Sequence, residues 1–260
     1  MKTIDLKKVF RTILLVLCLQ SCVSKKDIIY LQDSSFFKED SILYDQVLIQ
    51  PDDILSIVVS ASVPETTIPY NKQSSTQAIN VNLEVLKIQG YLVSNYGTID
   101  FPILGRMNAA GKSMNEMKIF IEEELKSGGH ITDPVVSIRM LNAKFTVLGE
   151  VKLPGTYTYT EENISLLQAL GYAGDLTING KRNNVKVIRE RNGKRSIEEI
   201  DLTSADWFKS PYYFVKPNDV IVVSPNTAKV KSAGIIGNAS TVLTIASLIL
   251  SSVILITNIK

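Results

Sequence analysis

The longest apolar stretch of the chain lies near its C-terminus. Residues 232–259 contain no charged residue and are bounded by Lys229, Lys231 and Lys260. This stretch is longer than the ~20 residues that an α-helix needs to cross a bilayer core. The pattern predicts a single transmembrane helix within residues 226–260.

The polar residues of this helix are predicted to share one side, which Leu248 and Leu255 interrupt. Six of them are candidate pore-lining residues: Ser240, Thr241, Thr244, Ser247, Ser251 and Asn258. A stripe of this kind suits helices that surround a water-filled lumen. Small hydroxyl residues also permit close contact between membrane helices, so a simple tail anchor is the alternative.

The N-terminus has the pattern of a lipoprotein signal peptide. A basic region at residues 7–11 precedes a short apolar run at residues 12–19, which is too short to span a membrane. The sequence Leu-Gln-Ser-Cys at residues 19–22 resembles the bacterial lipobox. Cys22 is therefore the predicted lipidation site, and residues 1–21 are the predicted signal peptide. An ordinary secretory peptide with an unrelated cysteine is the alternative.

Cysteine content and charge agree with export. The chain has two cysteines, and removal of the signal peptide would leave only Cys22, so no internal disulfide could form. The formal net charge of +2 comes from basic residues of the signal, and without them nucleic acid is not an expected partner. Residues 22–45 are predicted to form a lipidated tether or an arm across the first domain. Val23 stands where an inner-membrane retention aspartate would be, which favours the outer membrane.

Between the two termini, the pattern predicts an α+β fold. A run rich in β-branched residues at 54–60 predicts a strand, and residues 90–101 predict a β-hairpin. Ser113 and Glu116 form a capping box at the start of an amphipathic helix. Residues 135–141 predict a further strand.

A second, β-grasp-like unit is predicted to follow. Its expected strands, short helix and hairpin lie at residues 145–149, 165–171, 185–201 and 219–223. Ser165 is predicted to cap the helix, and an Asn-Gly pair at residues 192–193 is typical of a type I′ hairpin turn. Pro154 and Gly155 are expected to form a tight turn in which Gly155 has a positive φ.

Several motifs occur in the order found in one known family. Residues 47–59 resemble the opening of the polysaccharide biosynthesis/export domain, with Gln50-Pro51-Asp52-Asp53 where G-P-G-D is usual. Residues 97–105 resemble its G-x-I-x-x-P-x-x-G hairpin. Residues 147–157 resemble the V-x-G-E-V-x-x-P-G-x-Y start of a soluble-ligand-binding β-grasp (SLBB) module.

The resemblance implies an outer-membrane lipoprotein that exports polysaccharide. Its expected parts are a signal peptide at 1–21, a tether at 22–45, an export domain at 46–142, an SLBB module at 143–225 and a membrane helix at 226–260. Members of this family form rings, typically octameric, whose C-terminal helices make an α-helical barrel. Expected partners are a capsular or extracellular polysaccharide, further copies of the chain, outer-membrane lipid and an inner-membrane chain-length-regulating copolymerase. The alternative is a lipid-anchored periplasmic adaptor that binds a glycan or a partner without a pore.

Motifs for catalysis or cofactors are weak. Residues 105–113 nearly spell a phosphate-binding loop, but five residues rather than four separate its glycines. His130 is the only histidine, and neither cysteine nor histidine is available beside it for a metal site. We therefore expect no enzymatic activity, no cofactor and no metal.

The second unit also carries a group of basic residues: Lys181, Arg182, Lys186, Arg189, Arg191, Lys194 and Arg195. A solvated hairpin is the simpler interpretation. Contact with an anionic glycan or with another subunit is the alternative.

Overall fold

The computed structural model describes residues 28–36, 38–39, 41–42, 44–72, 83–191, 193–232 and 239–258. These residues form a mixed α+β fold, as the sequence predicts. The first domain is followed by a second with its own hydrophobic core.

The first domain packs a three-stranded antiparallel sheet against a helix. Its strands are β1 (Ile54–Ser60), β2 (Tyr91–Leu92), β3 (Thr98–Phe101), β4 (Gly105–Asn108) and β5 (Val135–Met140), and its helices are α1 (Leu83–Gln89) and α2 (Met114–Ser127). Strand β1 lies between β2 and β5, while β3 and β4 form a separate hairpin. The strands predicted at 54–60 and 135–141 are confirmed.

Helix α2 begins where the sequence predicts. The Ser113 hydroxyl accepts a hydrogen bond from the Glu116 N–H (3.2 Å), and the Glu116 carboxylate accepts one from the Ser113 N–H (2.7 Å). Both bonds satisfy N–H groups that a helix start leaves unpaired. Met117, Ile121 and Leu125 form the fully buried face of this helix.

The hairpin predicted over residues 90–101 is wrong in its pairing. Strand β2 pairs with β1, and β3 pairs with β4 through the turn at residues 102–104. Residues 94–97 do turn, with the Gly97 N–H donating to the Ser94 carbonyl (2.8 Å). Burial explains why the pairing differs from the prediction. Tyr91 is buried in the core beside β1, and Ile99 is buried in the core from its place on β3, which pairs with β4.

The second domain is built on a five-stranded mixed sheet. Its strands are β6 (Lys144–Gly149), β7 (Gly155–Thr158), β8 (Ile164–Ser165), β9 (Gly180–Arg191), β10 (Lys194–Ile200), β11 (Phe214–Val215) and β12 (Val220–Pro225), and its helix is α3 (Leu166–Tyr172). The sheet order is β10-β9-β12-β6-β7. Strands β6 and β12 are parallel, and the other pairs are antiparallel.

Local predictions for this domain hold except at one glycine. Ser165 and Gln168 form the predicted capping box, and β9 and β10 form the predicted hairpin. Gly155 begins β7 without a positive φ, so that expectation is wrong. The positive φ belongs to Gly149 (+90°), where the chain turns away from β6 close to the backbone of Val223.

Beyond β12 the structure describes two helices, α4 (Thr227–Ser232) and α5 (Ala239–Asn258). Among the described residues, no helix is found with the length and apolar character needed to cross a membrane. The transmembrane helix expected within residues 226–260 is therefore not supported.

Candidate functional site

The sheet of the second domain has two distinct ends. Because β6 and β12 run in parallel, they finish at the same end, at Gly149 and Pro225, and β9 begins there with Gly180 opposite Pro225. We call this end the exit pole, because the chain leaves the domain here towards α4. The Asn226 N–H donates a hydrogen bond to the Asn179 carbonyl at this end (2.7 Å).

The first domain is joined to the second at the opposite end of this sheet. Strand β6 starts there at Lys144, directly after the last strand of the first domain. The β9–β10 hairpin also turns at this end, beside Gly193 (φ +70°). The exit pole therefore lies at the end of the module away from its covalent link to the first domain.

The N-terminal arm, residues 28–45, contacts the second domain. The sequence predicts a lipidated tether or an arm across the first domain, and the described part of this segment instead lies on the second. The Leu31 N–H donates to the Leu202 carbonyl (3.1 Å), and the Gln32 N–H donates to the Thr203 carbonyl (2.7 Å). These backbone bonds carry little sequence signal, which explains why the pattern alone did not reveal them.

Asp33 fixes the arm further along. Its carboxylate accepts hydrogen bonds from the Ser204 hydroxyl (2.8 Å) and the Ala205 N–H (2.7 Å). The hydrogen bond from Ser204, followed by that from Ala205, holds the pKa of Asp33 below its usual value. The carboxylate thereby ties the arm to the start of the 3₁₀ turn Asp206–Lys209.

The arm begins at the exit pole. The Tyr30 hydroxyl donates to the Asp175 carboxylate (2.5 Å), and the Arg182 guanidinium lies 5.0 Å from the centre of the Tyr30 ring. Burial, and then the hydrogen bond to Asp175, raises the pKa of Tyr30. Cys22, the predicted lipidation site, lies outside the described residues, which begin at Ile28.

The arm ends at the other end of the module. The Tyr44 ring stacks on Phe214 with centroids 5.2 Å apart. The Asp45 carboxylate lies 3.5 Å from the Lys216 ammonium and 3.7 Å from the Arg191 guanidinium. The arm thus follows the second domain from the exit pole to the end that joins the first domain.

Four of the seven basic residues grouped in the second domain form ion pairs: Lys186, Arg189, Arg191 and Arg195. Arg189 is buried and forms a two-pronged ion pair with Asp219, with Nε–Oδ1 at 2.9 Å and Nη2–Oδ2 at 2.7 Å. Arg182 is also buried, so the solvated-hairpin interpretation is wrong for these two residues. Strand alternation could have identified Arg189, because it is in phase with the buried Val185 and Val187.

The Gln50-Pro51-Asp52-Asp53 motif of the first domain forms a turn. The Gln50 N–H donates to the Asp53 carboxylate (2.8 Å). Asp52 has a φ of +70° and stands where the usual G-P-G-D pattern has glycine, a conformation that aspartate tolerates better than most residues. Asp53 is buried, and this burial raises its pKa to about 6. The motif is explained by turn geometry.

The other residues considered for phosphate binding, catalysis or metal binding do not form such sites in the described part of the structure. Residues 105–108 of the loop that resembles a phosphate site form strand β4, and Ser113 is used as a helix cap. His130 packs edge-on against Tyr70 with ring centroids 5.8 Å apart. Within the described ranges, no group of three or more histidine, cysteine, aspartate or glutamate residues could hold a metal ion.

A cleft of about 430 Å³ lies between the two domains, with Met114, Arg139 and Tyr159 among its lining residues. Both domains contribute to its wall. Thr241, Thr244, Ser247 and Ser251, the predicted pore-lining residues whose side chains the structure describes, do not line it.

The candidate pore-lining residues lie on α5. Thr244, Ser247 and Ser251 are exposed and Thr241 is half-buried, while the side chains of Ser240 and Asn258 lie outside the described part. The Ser247 hydroxyl donates to the Thr244 carbonyl (2.8 Å). The helix also exposes large apolar side chains: Leu243, Ile245, Leu248, Ile249, Leu250 and Leu255.

Comparison with known proteins gives two family matches. Residues 44–141 match the family described as polysaccharide biosynthesis/export protein, and residues 144–197 match the SLBB domain. The chain is similar to the EPS I polysaccharide export outer membrane protein EpsA of Ralstonia solanacearum, with 29% identity over 198 residues, covering 74% of this chain and 51% of the relative. It is 34% identical over 145 residues to the protein of the same name from Ralstonia nicotianae, covering 53% of this chain and 37% of the relative.

The chain spans about half or less of the length of the curated relatives that it matches. The two family matches follow one another without overlap, and together they cover more than half of this chain. The chain therefore carries a polysaccharide biosynthesis/export domain at residues 44–141, followed by an SLBB domain at residues 144–197.

Proposed function

We propose that this chain is a non-enzymatic subunit of an outer-membrane system that exports a capsular or extracellular polysaccharide. The family match supports this function, as do the names of the two relatives, which are polysaccharide export outer membrane proteins. The structural observation that carries the proposal is that both terminal segments adjoin the same exit pole. A lipid at Cys22 and the apolar segment 232–259 could then serve one membrane.

The chain length between Cys22 and the exit pole limits their separation. Tyr30 contacts the pole through Asp175, and a fully extended chain from Cys22 to Tyr30 reaches at most about 28 Å. Acylation of Cys22 would therefore hold the SLBB module close to the membrane. More than one acyl chain on this cysteine would make the anchoring stable.

For the mode of export, we propose a ring-shaped homo-oligomer in which the C-terminal helices form a barrel. The family resemblance implies an octamer that works with an inner-membrane chain-length-regulating copolymerase. Support from this chain comes from the hydroxyl stripe, with Ser240, Thr241, Thr244, Ser247, Ser251 and Asn258 facing the lumen. The exposed apolar side chains of α5 also require cover from lipid or from neighbouring copies.

The second candidate is a lipid-anchored periplasmic adaptor that binds a glycan or a partner without forming a pore. One observation favours it. The Ser247 and Ser252 hydroxyls each donate to a backbone carbonyl of their own helix, at 2.8 Å in both cases. These donors are already satisfied, so they require neither a wet lumen nor a neighbouring helix.

Cysteine labelling separates the two candidates. Single cysteines would replace Thr244, Ser247 and Ser251 on the polar side, with Ile245→Cys and Ile249→Cys as matched controls. The background is Cys18→Ala, which keeps Cys22 for acylation. A charged, membrane-impermeant thiol reagent should label the three polar-side positions, because a thiolate forms only in contact with water. The two control positions should stay protected.

A bulky residue gives the corresponding test of transport. Thr244→Trp should slow polysaccharide export while the protein stays in the membrane fraction, because the larger side chain would narrow the lumen. Ile245→Trp is the control on the other side of the helix. Uniform protection of all five cysteines, together with normal export by Thr244→Trp, would contradict the pore and favour the adaptor.

A further inference from the structure

The exit pole exposes two large apolar side chains that the core of the SLBB module does not use. Leu153 and Ile178 are each 62% exposed. They lie on two segments, residues 150–154 directly after β6 and residues 173–179 directly before β9. Singly exposed apolar side chains are common on protein surfaces, so it is the position of Leu153 and Ile178 at the exit pole, beside both terminal segments, that points to a surface outside the chain.

The two segments are held side by side. Backbone hydrogen bonds join the Lys152 N–H to the Asp175 carbonyl (3.1 Å), the Leu153 N–H to the Ala173 carbonyl (2.9 Å) and the Thr177 N–H to the Glu150 carbonyl (2.9 Å). Ordered backbone therefore presents both apolar tips.

The lysines and the carboxylates around these tips differ in how accessible they are to a partner outside the chain. Lys152 is exposed and Lys181 is half-buried. The two carboxylates of these segments are engaged locally. Glu150 accepts a hydrogen bond from the Thr177 hydroxyl (2.8 Å), and Asp175 accepts the one from Tyr30. The surface thus combines two apolar tips with two lysines, and each lysine near an anionic membrane surface adds attraction to lipid phosphates.

The two terminal segments begin beside these loops. Tyr30, at the start of the arm, contacts Asp175 in the second loop. On the C-terminal side, the Asn226 N–H donates to Asn179, the residue after Ile178. The segment that contains Cys22 and the segment that contains α5 therefore both leave from the surface formed by the loops.

We propose that the exit pole docks on the phospholipid surface of the membrane, with Leu153 and Ile178 entering the interface and Lys152 and Lys181 facing lipid phosphates. This inference rests on the proposed function for the anchor at Cys22. Since the first domain joins the opposite end of the module, docking would hold the export domain away from the membrane. The polysaccharide would then meet the export domain before it meets the membrane.

Spin labelling of the full-length acylated protein tests this docking. Nitroxide labels would be placed at Leu153→Cys and Ile178→Cys in the Cys18→Ala background, in vesicles of phosphatidylethanolamine and phosphatidylglycerol. Ile197→Cys is the matched control, because Ile197 is 60% exposed in the same module. It pairs with Ile188 on β9, which places it about 26 Å along the strand from Gly180.

The expected result is a difference between the pole and the control. Labels at positions 153 and 178 should be more accessible to oxygen and less accessible to a water-soluble nickel chelate than the label at position 197. Vesicle flotation in the same samples reports anchoring separately. Floating protein whose three labels are equally open to the nickel chelate would overturn the docking and leave the anchor intact.

Two further outcomes would also count against the proposal. Low accessibility to both reagents at positions 153 and 178 would place another protein copy on this surface and overturn lipid docking. Protein that fails to float would overturn the anchor together with the docking.

Discussion

The export domain and the SLBB module each bury one aspartate, but they provide it with different partners. Asp53 of the export domain is 3% exposed and Asp219 of the SLBB module is 1% exposed. The hydrogen bond that the described residues give to Asp53 comes from the Gln50 N–H. Asp219 accepts hydrogen bonds from two nitrogens of Arg189 and from the Lys216 N–H (2.8 Å).

The difference determines what each domain depends on. In the SLBB module the buried charge has an opposite charge beside it, and Arg189 also donates to the carbonyls of Pro211 (2.9 Å) and Phe214 (2.8 Å). Burial raises the pKa of Asp219, and Arg189 opposes this shift. In the export domain the described residues place no basic side chain against Asp53, and burial raises its pKa to about 6.

The two aspartates are almost equally buried, but they have different roles in the fold. Arg189 connects β9 to the loop before β11, so the SLBB ion pair holds separate segments of chain together. Asp53 closes one turn, three residues from Gln50. We expect the SLBB module to be more sensitive to loss of its cation, and the export domain to be more sensitive to pH.

The largest effect is expected when the cation is removed. Arg189→Met should lower the free energy of unfolding by about 3–5 kcal/mol, because it leaves the Asp219 charge buried and unpaired. Denaturant unfolding of the purified protein measures this change. Arg195→Met is the matched control, since Arg195 and Glu190 form an exposed pair with Nε–Oε1 at 2.7 Å, and such pairs contribute at most about 1 kcal/mol.

A double variant checks the cause. Arg189→Met combined with Asp219→Asn should recover part of the lost stability, because the unpaired charge is gone. Equal stability losses for the two single arginine variants would show that the buried pair does not stabilise the SLBB module.

Two glycines, one in each domain, sharpen the comparison at the level of the backbone. A Cβ at Gly149 of the SLBB module would lie 2.0 Å from the carbonyl oxygen of Val223, at a φ of +90°. At Gly90 of the export domain the nearest atom would be the Ile54 side-chain Cγ2, at 2.4 Å. The Ile54 methyl can move through a change of χ1, which is costly for a β-branched side chain, whereas a carbonyl oxygen in a paired strand moves only with its backbone.

We therefore expect Gly149→Ala to cost about 3 kcal/mol, and Gly90→Ala to cost about 1 kcal/mol. Thermal unfolding of both variants measures the difference. Gly155→Ala serves as a neutral control, since a Cβ there would meet nothing closer than 3.9 Å. A midpoint for Gly149→Ala equal to that of Gly155→Ala would contradict the close approach to Val223.

The sequence predicted these domains well where the determinants are local. Ser113 with Glu116, and Ser165 with Gln168, lie three residues apart, so each capping box is visible in the chain itself. The strand at 54–60 follows from its run of β-branched residues. Local patterns also predicted the order of the two domains through the motifs that resemble the family.

The sequence did not predict features that depend on distant segments. The positive φ at Gly149 accompanies a parallel strand that comes much later in the chain, so the expectation fell on Gly155 instead. Strand Thr98–Phe101 was predicted to pair with residues 90–95 but pairs with β4, because Tyr91 is buried beside β1. The docking of the arm uses backbone groups of residues 202 and 203, which the side-chain pattern does not reveal.

An effect smaller than those of Arg189→Met and Gly149→Ala concerns the pH dependence of the export domain. The folded pKa of Asp53, about 6, lies above its ordinary value of 3.8. The native state therefore binds a proton more tightly than the unfolded state, and this group makes stability fall as pH rises from about 4 to about 6. Above this window the full penalty of burying the charge remains, and it amounts to about 2–3 kcal/mol.

Asp53→Asn removes the charge and retains an oxygen that can accept the Gln50 N–H. The variant should therefore be more stable than the wild type near pH 7, and its advantage should shrink as the pH falls towards about 4. Denaturant unfolding at a series of pH values measures this difference. Asp52→Asn controls for the loss of one carboxylate from the same turn, because asparagine also tolerates the positive φ, and it should keep the wild-type decline between about pH 4 and about pH 6. If Asp53→Asn runs parallel to the wild type across this range, the Asp53 charge is matched after all, and the contrast between the two buried aspartates fails.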